Sequence, residues 1–323
     1  MVQAQEVSCL ALRQPGGNCL NDIRIDLSAS YEIQDKWLAG QNKKSVRHSF
    51  VHNYLNRLFF SALKRLGLFD TMVATGILHS WFDDFSSYWI ECLGGRPITV
   101  SDFHLLAYDY RKRFHANSSK KWESSEQHLA NYQTPDNLFL TFSFALREAV
   151  NPIRNHQLLS LLRPGLKILE FGCSLAPMYA TWRQFSSHKN CHWVLADIAS
   201  YPFHYARHKY ANDLEANTCL ITEDLFDDPL RNVDGDFDII IIQEVFEHLH
   251  KPLHLAKYLC SRLSKNGLLV FDYVKSDAQG LDTLAGLEER VATLEFLYST
   301  LSPLSGSWES IQNSVGICIG RKH

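Results

Sequence analysis

Four stretches in the second half of the chain put chemically capable side chains at the ends of apolar runs. Ile168-Leu169-Glu170-Phe171-Gly172-Cys173-Ser174-Leu175-Ala176-Pro177 reads as a strand that stops at a glycine-containing turn before a helix. Such a stop leaves backbone N–H groups free and lets a ligand approach the main chain at the carboxyl edge of a sheet. The next run ends in Val194-Leu195-Ala196-Asp197, which places Asp197 25 residues beyond Gly172. A carboxylate at that place can accept both hydroxyls of a ribose, so the expected ligand carries a nucleoside. Glu223-Asp224-Leu225 follows the third run, and Gln243-Glu244-Val245-Phe246-Glu247-His248-Leu249 follows the fourth.

These residues need a scaffold that brings several run ends to one edge. Short apolar runs at Lys167 to Phe171, His192 to Ala196, Thr218 to Ile221, Phe237 to Ile242 and Leu268 to Tyr273 alternate with helical segments. Nearly uninterrupted β-rich hydrophobicity suits strands buried on both faces of a parallel sheet, joined by right-handed crossovers. The first 115 residues read as mainly helical. Apolar positions from Phe50 to Leu66 recur at helical spacing with Gly67 as cap, and a second helix starts near Thr75 and stops at Gly94-Gly95. A third opens on Thr99-Val100-Ser101-Asp102, resembling a capping box, and runs to about Phe114. Further helices are expected over Asp136 to Val150 and Ile153 to Leu162. The polar, serine-rich stretch from 116 to 126 reads as a loop near a boundary. The first 40 residues offer a turn at Pro15-Gly16-Gly17 and a short strand near Ile23 and Ile25.

Composition limits the function. The chain has 323 residues, 46% hydrophobic and 21% charged, with 32 Lys and Arg against 35 Asp and Glu. That is a globular chain of one large domain or two ordinary ones, with the charge balance of neither a basic nor an acidic binder. Extended nucleic acid is a poor partner for it. The eight cysteines lie singly, without zinc-site pairs or the density of a secreted scaffold, which fits reduced thiols and a cytoplasmic location. With no apolar run near the ~20 residues of a membrane span and no signal-like N-terminus, neither membrane nor export is expected.

The ordered set as a whole resembles the class I S-adenosylmethionine-dependent methyltransferases, over about residues 150 to 323. The resemblance implies a doubly wound α/β domain with a mostly parallel seven-stranded Rossmann-like sheet, here preceded by a mainly helical N-terminal domain. It sets a boundary near residue 130, with 1–130 as substrate cover or dimerisation domain and 131–323 as the cofactor-binding methyltransferase domain. It also implies S-adenosyl-L-methionine as cofactor and S-adenosyl-L-homocysteine as product. Glu170, Gly172, Cys173 and Ser174 would form the loop around the methionine and ribose. Asp197 would bind the ribose hydroxyls, Ile198 would pack on adenine, Asp224 would take the adenine amino group with Leu225 on the ring, and Gln243 would sit near the methionine end. Val315-Gly316-Ile317-Cys318-Ile319-Gly320 matches the family's final reversed strand. One departure is that Ser174 stands where the family's loop has its second glycine, followed by Ala176-Pro177, which questions the backbone dihedrals and hence cofactor affinity.

Methyl transfer from a sulfonium requires mainly that a nucleophile be held in line in a site closed to water. A hydroxyl or protonated amine acceptor also needs its proton removed. His248 is the first candidate base, because a neutral imidazole is populated near pH 7, and Glu244 is the second. The structural alternative for His248 is a cap or hinge. Tyr132 is expected as a cofactor contact from the segment entering the sheet, the alternative being packing. Cys173 is expected to pack rather than react, for want of a neighbouring base. The pairs His48/His52, His204/His208 and His250/His254 have metal-ligand spacing, but no carboxylate is placed with them, so no metal is expected and solvated helix faces are favoured. Lys43-Lys44, Arg111-Lys112-Arg113 and Lys120-Lys121 read as ordinary surface, and Trp81, Phe82, Phe85, Tyr88 and Trp89 as core. The resulting expectation is a methyltransferase acting on oxygen or nitrogen of a small-molecule acceptor of specialised biosynthesis. The alternatives are a peptide or protein methyltransferase, a binding scaffold without turnover, and a nicotinamide oxidoreductase; the last is disfavoured because only Gly172 of a Gly-x-Gly-x-x-Gly motif is present.

Overall fold

The computed structural model of the chain describes residues 81–117, 124–148, 155, 158–275, 277–278, 280–309 and 311–323, together with Glu32, Asp35, Lys36, Ala39, Arg65 and Leu66. The helix expected from Phe50 to Leu66, the features expected in the first 30 residues, His48/His52, Lys43-Lys44 and Lys120-Lys121 fall mostly or wholly outside them, as do residues 153, 154, 156 and 157 of the helix expected before the first strand.

Among the described residues, in chain order, the elements include the helices α1 Trp81–Glu91, α2 Val100–Asn117, α3 Ser125–Tyr132, α4 Leu138–Arg147, α5 Pro177–Phe185, α6 Tyr201–Lys209, α7 Pro252–Ser261, α8 Leu284–Glu288 and α9 Arg290–Thr300. The strands are β1 Lys167–Phe171, β2 His192–Ile198, β3 Ala216–Ile221, β4 Phe237–Ile242, β5 Leu263–Tyr273, β6 Leu301–Ser305 and β7 Val315–Lys322. Two compact units are distinguished, one drawn from the chain up to Ala116 with residues 133–154 and 200–212, the other from 117–132, 155–199 and 213–323.

The described residues of the first unit are mainly helical, and their core is aromatic. Phe85, Tyr88 and Trp89 of α1 are buried with Phe103 and Tyr110 of α2 and Phe142 of α4. Phe85 meets Phe142 tilted at 4.7 Å and Phe103 edge-on at 4.8 Å between ring centroids, the latter being the T-shaped geometry that aromatic quadrupoles favour. The start of α2 is the reciprocal cap its sequence announces: Thr99 N–H donates to Asp102 Oδ2 at 2.7 Å and Asp102 N–H to Thr99 Oγ1 at 3.3 Å. On α6, His204 and His208 are not a solvated pair. His204 is fully buried against the Tyr88 hydroxyl at 3.2 Å, and His208 Nδ1 lies 3.2 Å from Cys92 Sγ. Among the described residues no group of three or more His, Cys, Asp or Glu could hold a metal ion, and no helix is long and apolar enough to cross a membrane.

The second unit is built on one sheet, in the order β3-β2-β1-β4-β5-β7-β6. β3, β2, β1, β4 and β5 pair in parallel, and β7 runs antiparallel between β5 and β6. The sheet is therefore mixed. β1 (KILEF) and β4 (FDIIII) occupy its centre, where burial on both faces explains their unbroken hydrophobicity. β6 is the strand whose residues give no period-2 signal: only Leu301 of its five residues is buried, and Pro303 is tolerated because the strand lies at the edge.

The serine-rich stretch ends in structure rather than in loop. Ser124 Oγ accepts Gln127 N–H at 3.2 Å and opens α3, which carries His128 and Tyr132. Ser124-x-x-Gln127 is a capping signature that the surrounding serines obscure.

Candidate functional site

The loop from Gly172 to Ala176 consumes its own hydrogen-bond donors. Gly172 and Cys173 N–H both point at Ala196 O, at 2.8 and 3.2 Å; Ser174 N–H donates to Asp197 Oδ2 at 2.7 Å and Ala176 N–H to Cys173 O at 2.6 Å. The first turn of α5 is likewise occupied, since Glu170 Oε1 and Oε2 accept Met178 and Tyr179 N–H, each at 3.0 Å. Most of the amides expected to be free at this turn are thus taken by the protein itself. Glu170 is the internal acceptor of the helix terminus, organising the loop from beneath, and burial raises its carboxyl to about 8 against the pull of the two amides, which favours the neutral acid near pH 7. Gly172 is required twice: its φ is +64°, and a Cβ there would lie 2.3 Å from Val245 Cγ2. Ser174 and Ala176 adopt the same left-handed region at φ 51° and 53° without being glycine. Ser174 Oγ is buried without a partner, whereas Cys173 is an inert thiol whose pKa burial pushes well up.

Asp197 ends β2 beside this loop. Its Oδ1 accepts Ile198 N–H and its Oδ2 accepts Ser174 N–H, each at 2.7 Å, leaving each oxygen further acceptor capacity. Burial lifts the carboxyl to about 6, against the two amide bonds and the nearby His248 charge. Ile198 packs half-buried against the sheet core. Asp224 stands exposed after β3, bound to Thr222 Oγ1 at 2.6 Å and Arg231 at 3.2 Å. Leu225 beside it belongs to the buried core. Gln243 is half-buried just beyond β4.

After β4 the chain turns sharply. Glu244 has φ +52° and its N–H is fixed by Asp272 Oδ1 at 2.6 Å, while its own side chain is exposed. Asp272, on β5, is driven up to about 7 by burial, with Glu247 and Glu244 acting in the same direction and the Glu244 amide opposing. The short 3-10 turn Phe246–His248 then carries Glu247 inward, with Oε2 buried and unpartnered, and ends at His248. His248 therefore closes a turn and does not begin α7.

His248 Nδ1 faces two acceptors, Asp282 Oδ1 at 2.9 Å and Leu281 O at 3.0 Å. The same Leu281 carbonyl takes His128 Nε2, and the Tyr132 hydroxyl lies 3.5 Å from it. A carbonyl only accepts, so the hydrogens sit on His248 Nδ1 and His128 Nε2. His128 is held neutral, its pKa lowered to about 4, first by burial and then by the neighbouring histidines. His128 Nδ1 is therefore bare and accepts from His250 Nε2 at 3.1 Å. For His248, burial works against the charged form, but Asp282, Glu247 and the Leu281 carbonyl outweigh it and the net shift is upward. The Tyr132 ring stands edge-on to His248 at 6.3 Å, and its hydroxyl is raised by burial and by Asp197, Asp282 and Glu247.

Asp197, Tyr132, His248 and the loop from Gly172 to Ser174 thus share one neighbourhood within the second unit, whereas Asp224 lies exposed with Arg231. His128, Asp272, Leu281 and Asp282 escaped the reading of the sequence. The capping signature at Ser124 would have located the helix of His128; nothing in the 34-residue spacing of His248 and Asp282 announces their contact. The arrangement combines a buried carboxylate that keeps spare acceptor capacity with a carboxylate-backed imidazole whose Nε2 is left as the basic nitrogen.

Residues 145–301 match a family described as "Methyltransferase domain". No curated protein matches the chain. Among solved structures, the chain is similar to the N-methyltransferase NodS of Bradyrhizobium japonicum in complex with S-adenosyl-L-homocysteine, with 15% identity, coverage of 53% of this chain and 86% of that one, and a TM-score of 0.38. A methyltransferase of Pyrococcus furiosus gives 16%, 53% and 82%, and 0.36, and the [4+2]-cyclase SpnF gives 13%, 67% and 93%, and 0.40.

Proposed function

We propose that the chain, whose residues 145–301 match a methyltransferase domain, is a class I S-adenosylmethionine-dependent methyltransferase that transfers a methyl group from S-adenosyl-L-methionine to oxygen or nitrogen of a small-molecule acceptor. The observation that carries the reading is the division of labour between two carboxylates. Glu170 fills the helix terminus where a dinucleotide would lodge its pyrophosphate, so the amides a phosphate would use there are already taken. Asp197, one strand away, keeps acceptor capacity for two hydroxyls. That pattern suits an adenosyl sulfonium, which has a ribose and no phosphate, and disfavours the nicotinamide alternative.

The residues fit the cofactor in a second respect. Ser174 Oγ is a buried hydroxyl with no partner of its own, beside the carboxylate assigned to the ribose, and a buried unpaired polar atom is costly unless a ligand meets it. We assign Asp197, Ser174, Gly172 and Cys173 to the sugar and methionine side, Gln243 to the methionine end, Ile198, Leu225 and Asp224 to the adenine side, Tyr132 to the wall, and Glu170 to support of the loop. Bound there, the cofactor supplies an electrophilic methyl group. The chain's tasks are to hold the acceptor in line and to take its proton, which falls to His248, with Glu244 second. The first 130 residues exceed what cofactor binding needs and are assigned to acceptor choice or self-association.

Calorimetry with S-adenosyl-L-homocysteine, S-adenosyl-L-methionine and NAD tests the reading. Binding of the first two and not of NAD is expected. NAD binding alone would reverse the assignment, and binding of S-adenosyl-L-homocysteine without label transfer from methyl-labelled donor to any component of a metabolite extract would favour the scaffold alternative.

A further inference from the structure

We propose that Asp282 is a positioning residue for methyl transfer: it holds His248 through Nδ1–H so that Nε2 is the nitrogen presented to the acceptor. The inference deepens the reading of His248 as the base and rests on it.

The segment carrying Asp282 is fastened on both sides. Leu281 O takes hydrogen bonds from His128 Nε2 and His248 Nδ1. Thr283 N–H donates to Glu247 O at 2.9 Å, and Thr283 Oγ1 donates to Leu249 O at 2.6 Å while accepting Gly286 N–H at 2.8 Å as the cap of α8. Gly286 permits this approach, since a Cβ there would stand 2.3 Å from Glu247 O. The strip from Glu247 to Leu249 and the strip from Leu281 to Thr283 are therefore clamped to each other around the imidazole. Holding a ring by one nitrogen fixes both its tautomer and its aim.

The consequence for the reaction follows from its balance. As the acceptor's lone pair bonds to the methyl carbon, the sulfur–methyl bonding pair returns to sulfur, and the acceptor's hydrogen remains to be removed. That proton passes to Nε2, giving an imidazolium whose charge faces Asp282 at 2.9 Å. An acceptor served this way is a hydroxyl or a neutral amine, which gives up its proton with or after the attack, or an ammonium, which must first pass a proton to Nε2 to free its lone pair. The groups facing the ring are Asp282, Glu247, Asp197, Tyr132 and His128, the last neutral and bonded to His250.

The test uses the full chain labelled with 15N-histidine, followed by NMR from pH 5 to 9 in wild type, Asp282→Asn and Asp282→Glu, with S-adenosyl-L-homocysteine calorimetry as the check on folding. In wild type the neutral His248 ring is expected to carry its hydrogen on Nδ1. In Asp282→Asn its pKa is expected to fall by about 1–3 units, with Asp282→Glu restoring it. Hydrogen on Nε2 in wild type overturns the proposal without any variant. So does an unmoved pKa in an Asn variant that binds S-adenosyl-L-homocysteine normally. Unchanged turnover in His248→Ala, read as labelled methyl incorporated from metabolite extract, overturns instead the base reading, whatever the tautomer.

Discussion

Asp197 accepts the backbone N–H of Ser174 at 2.7 Å, so the end of β2 carries the loop that follows β1. The carboxylate assigned to the ribose is also a strut for the residues around it. Replacing it therefore removes two things, and the choice of replacement separates them. Asp197→Asn keeps an oxygen for one amide and loses the charge; Asp197→Ala loses both. Affinity for S-adenosyl-L-homocysteine is expected to weaken by about 1–3 kcal/mol in Asn, the scale of hydrogen bonds to a charged group, and further in Ala, with a lower melting temperature in both, since the Asn NH2 would face one of the two N–H groups. Calorimetry showing unchanged affinity in both variants would remove Asp197 from the site.

The same carboxylate gives binding a pH dependence. Burial sets Asp197 at about 6 against an ordinary 3.8, and ribose hydroxyls donate to the ionised form better than to the acid. Affinity for S-adenosyl-L-homocysteine is therefore expected to rise with pH up to about 6 and to level off above it. Titrations from pH 5 to 8 check this, and the slope should vanish in Asp197→Asn.

Glu170 predicts a stability effect of its own. Each oxygen takes one amide, an arrangement that Gln cannot reproduce because its NH2 would face one of those N–H groups. Glu170→Gln is expected to cost about 1–3 kcal/mol in denaturant unfolding. The sign with pH is also fixed: a folded pKa raised from 4.5 to about 8 means the native state holds the proton more tightly, so this group's contribution declines as pH rises across that window. Wild type should lose stability between pH 5 and pH 8 more steeply than the Gln variant.

Central strands were legible because their physics is local. Lys167–Phe171 and Phe237–Ile242 are strands with the bounds their apolar runs suggest, since burial on both faces leaves no polar interruption. β6 was not separately visible, because an edge strand needs only Leu301 inside. In the site, Asp197 could be placed by its strand end alone. Glu170 could not: a buried acidic residue before a glycine turn reads equally as ligand contact or helix cap, and only the positions of Met178 and Tyr179 N–H decide it. His128 and His248 meet through a main-chain carbonyl, Leu281 O, and a backbone acceptor has no sequence signature.

Gly172 and Val245 offer a paired test of the loop. A methyl at residue 172 meets both an unfavourable φ and the Val245 side chain, so Gly172→Ala is expected to destabilise by about 2–5 kcal/mol, strain and overpacking together. Val245→Ala should recover only the packing share, leaving a deficit of about 1–2 kcal/mol from the left-handed backbone. Full recovery in the double variant would show that the dihedral carries no cost.

Ser174 separates stability from binding most sharply, because the fold gains nothing visible from its side chain. Its φ of 51° favours glycine, and its hydroxyl is buried without a partner. Both features tax the free protein, by about 1–3 kcal/mol for a strained backbone position, offset in part by the greater unfolded-state freedom of glycine, about 0.4–1 kcal/mol. Ser174→Gly is therefore expected to raise the free protein's stability by about 1 kcal/mol. If the hydroxyl is kept for the cofactor, the same change weakens S-adenosyl-L-homocysteine binding by roughly 3–10-fold, the range of one neutral hydrogen bond. Thermal melts with and without S-adenosyl-L-homocysteine read both quantities at once: a higher melting point alone with a smaller ligand-induced shift is the expected pair. A variant stabilised equally in both conditions would mean that Ser174 serves neither the fold nor the ligand.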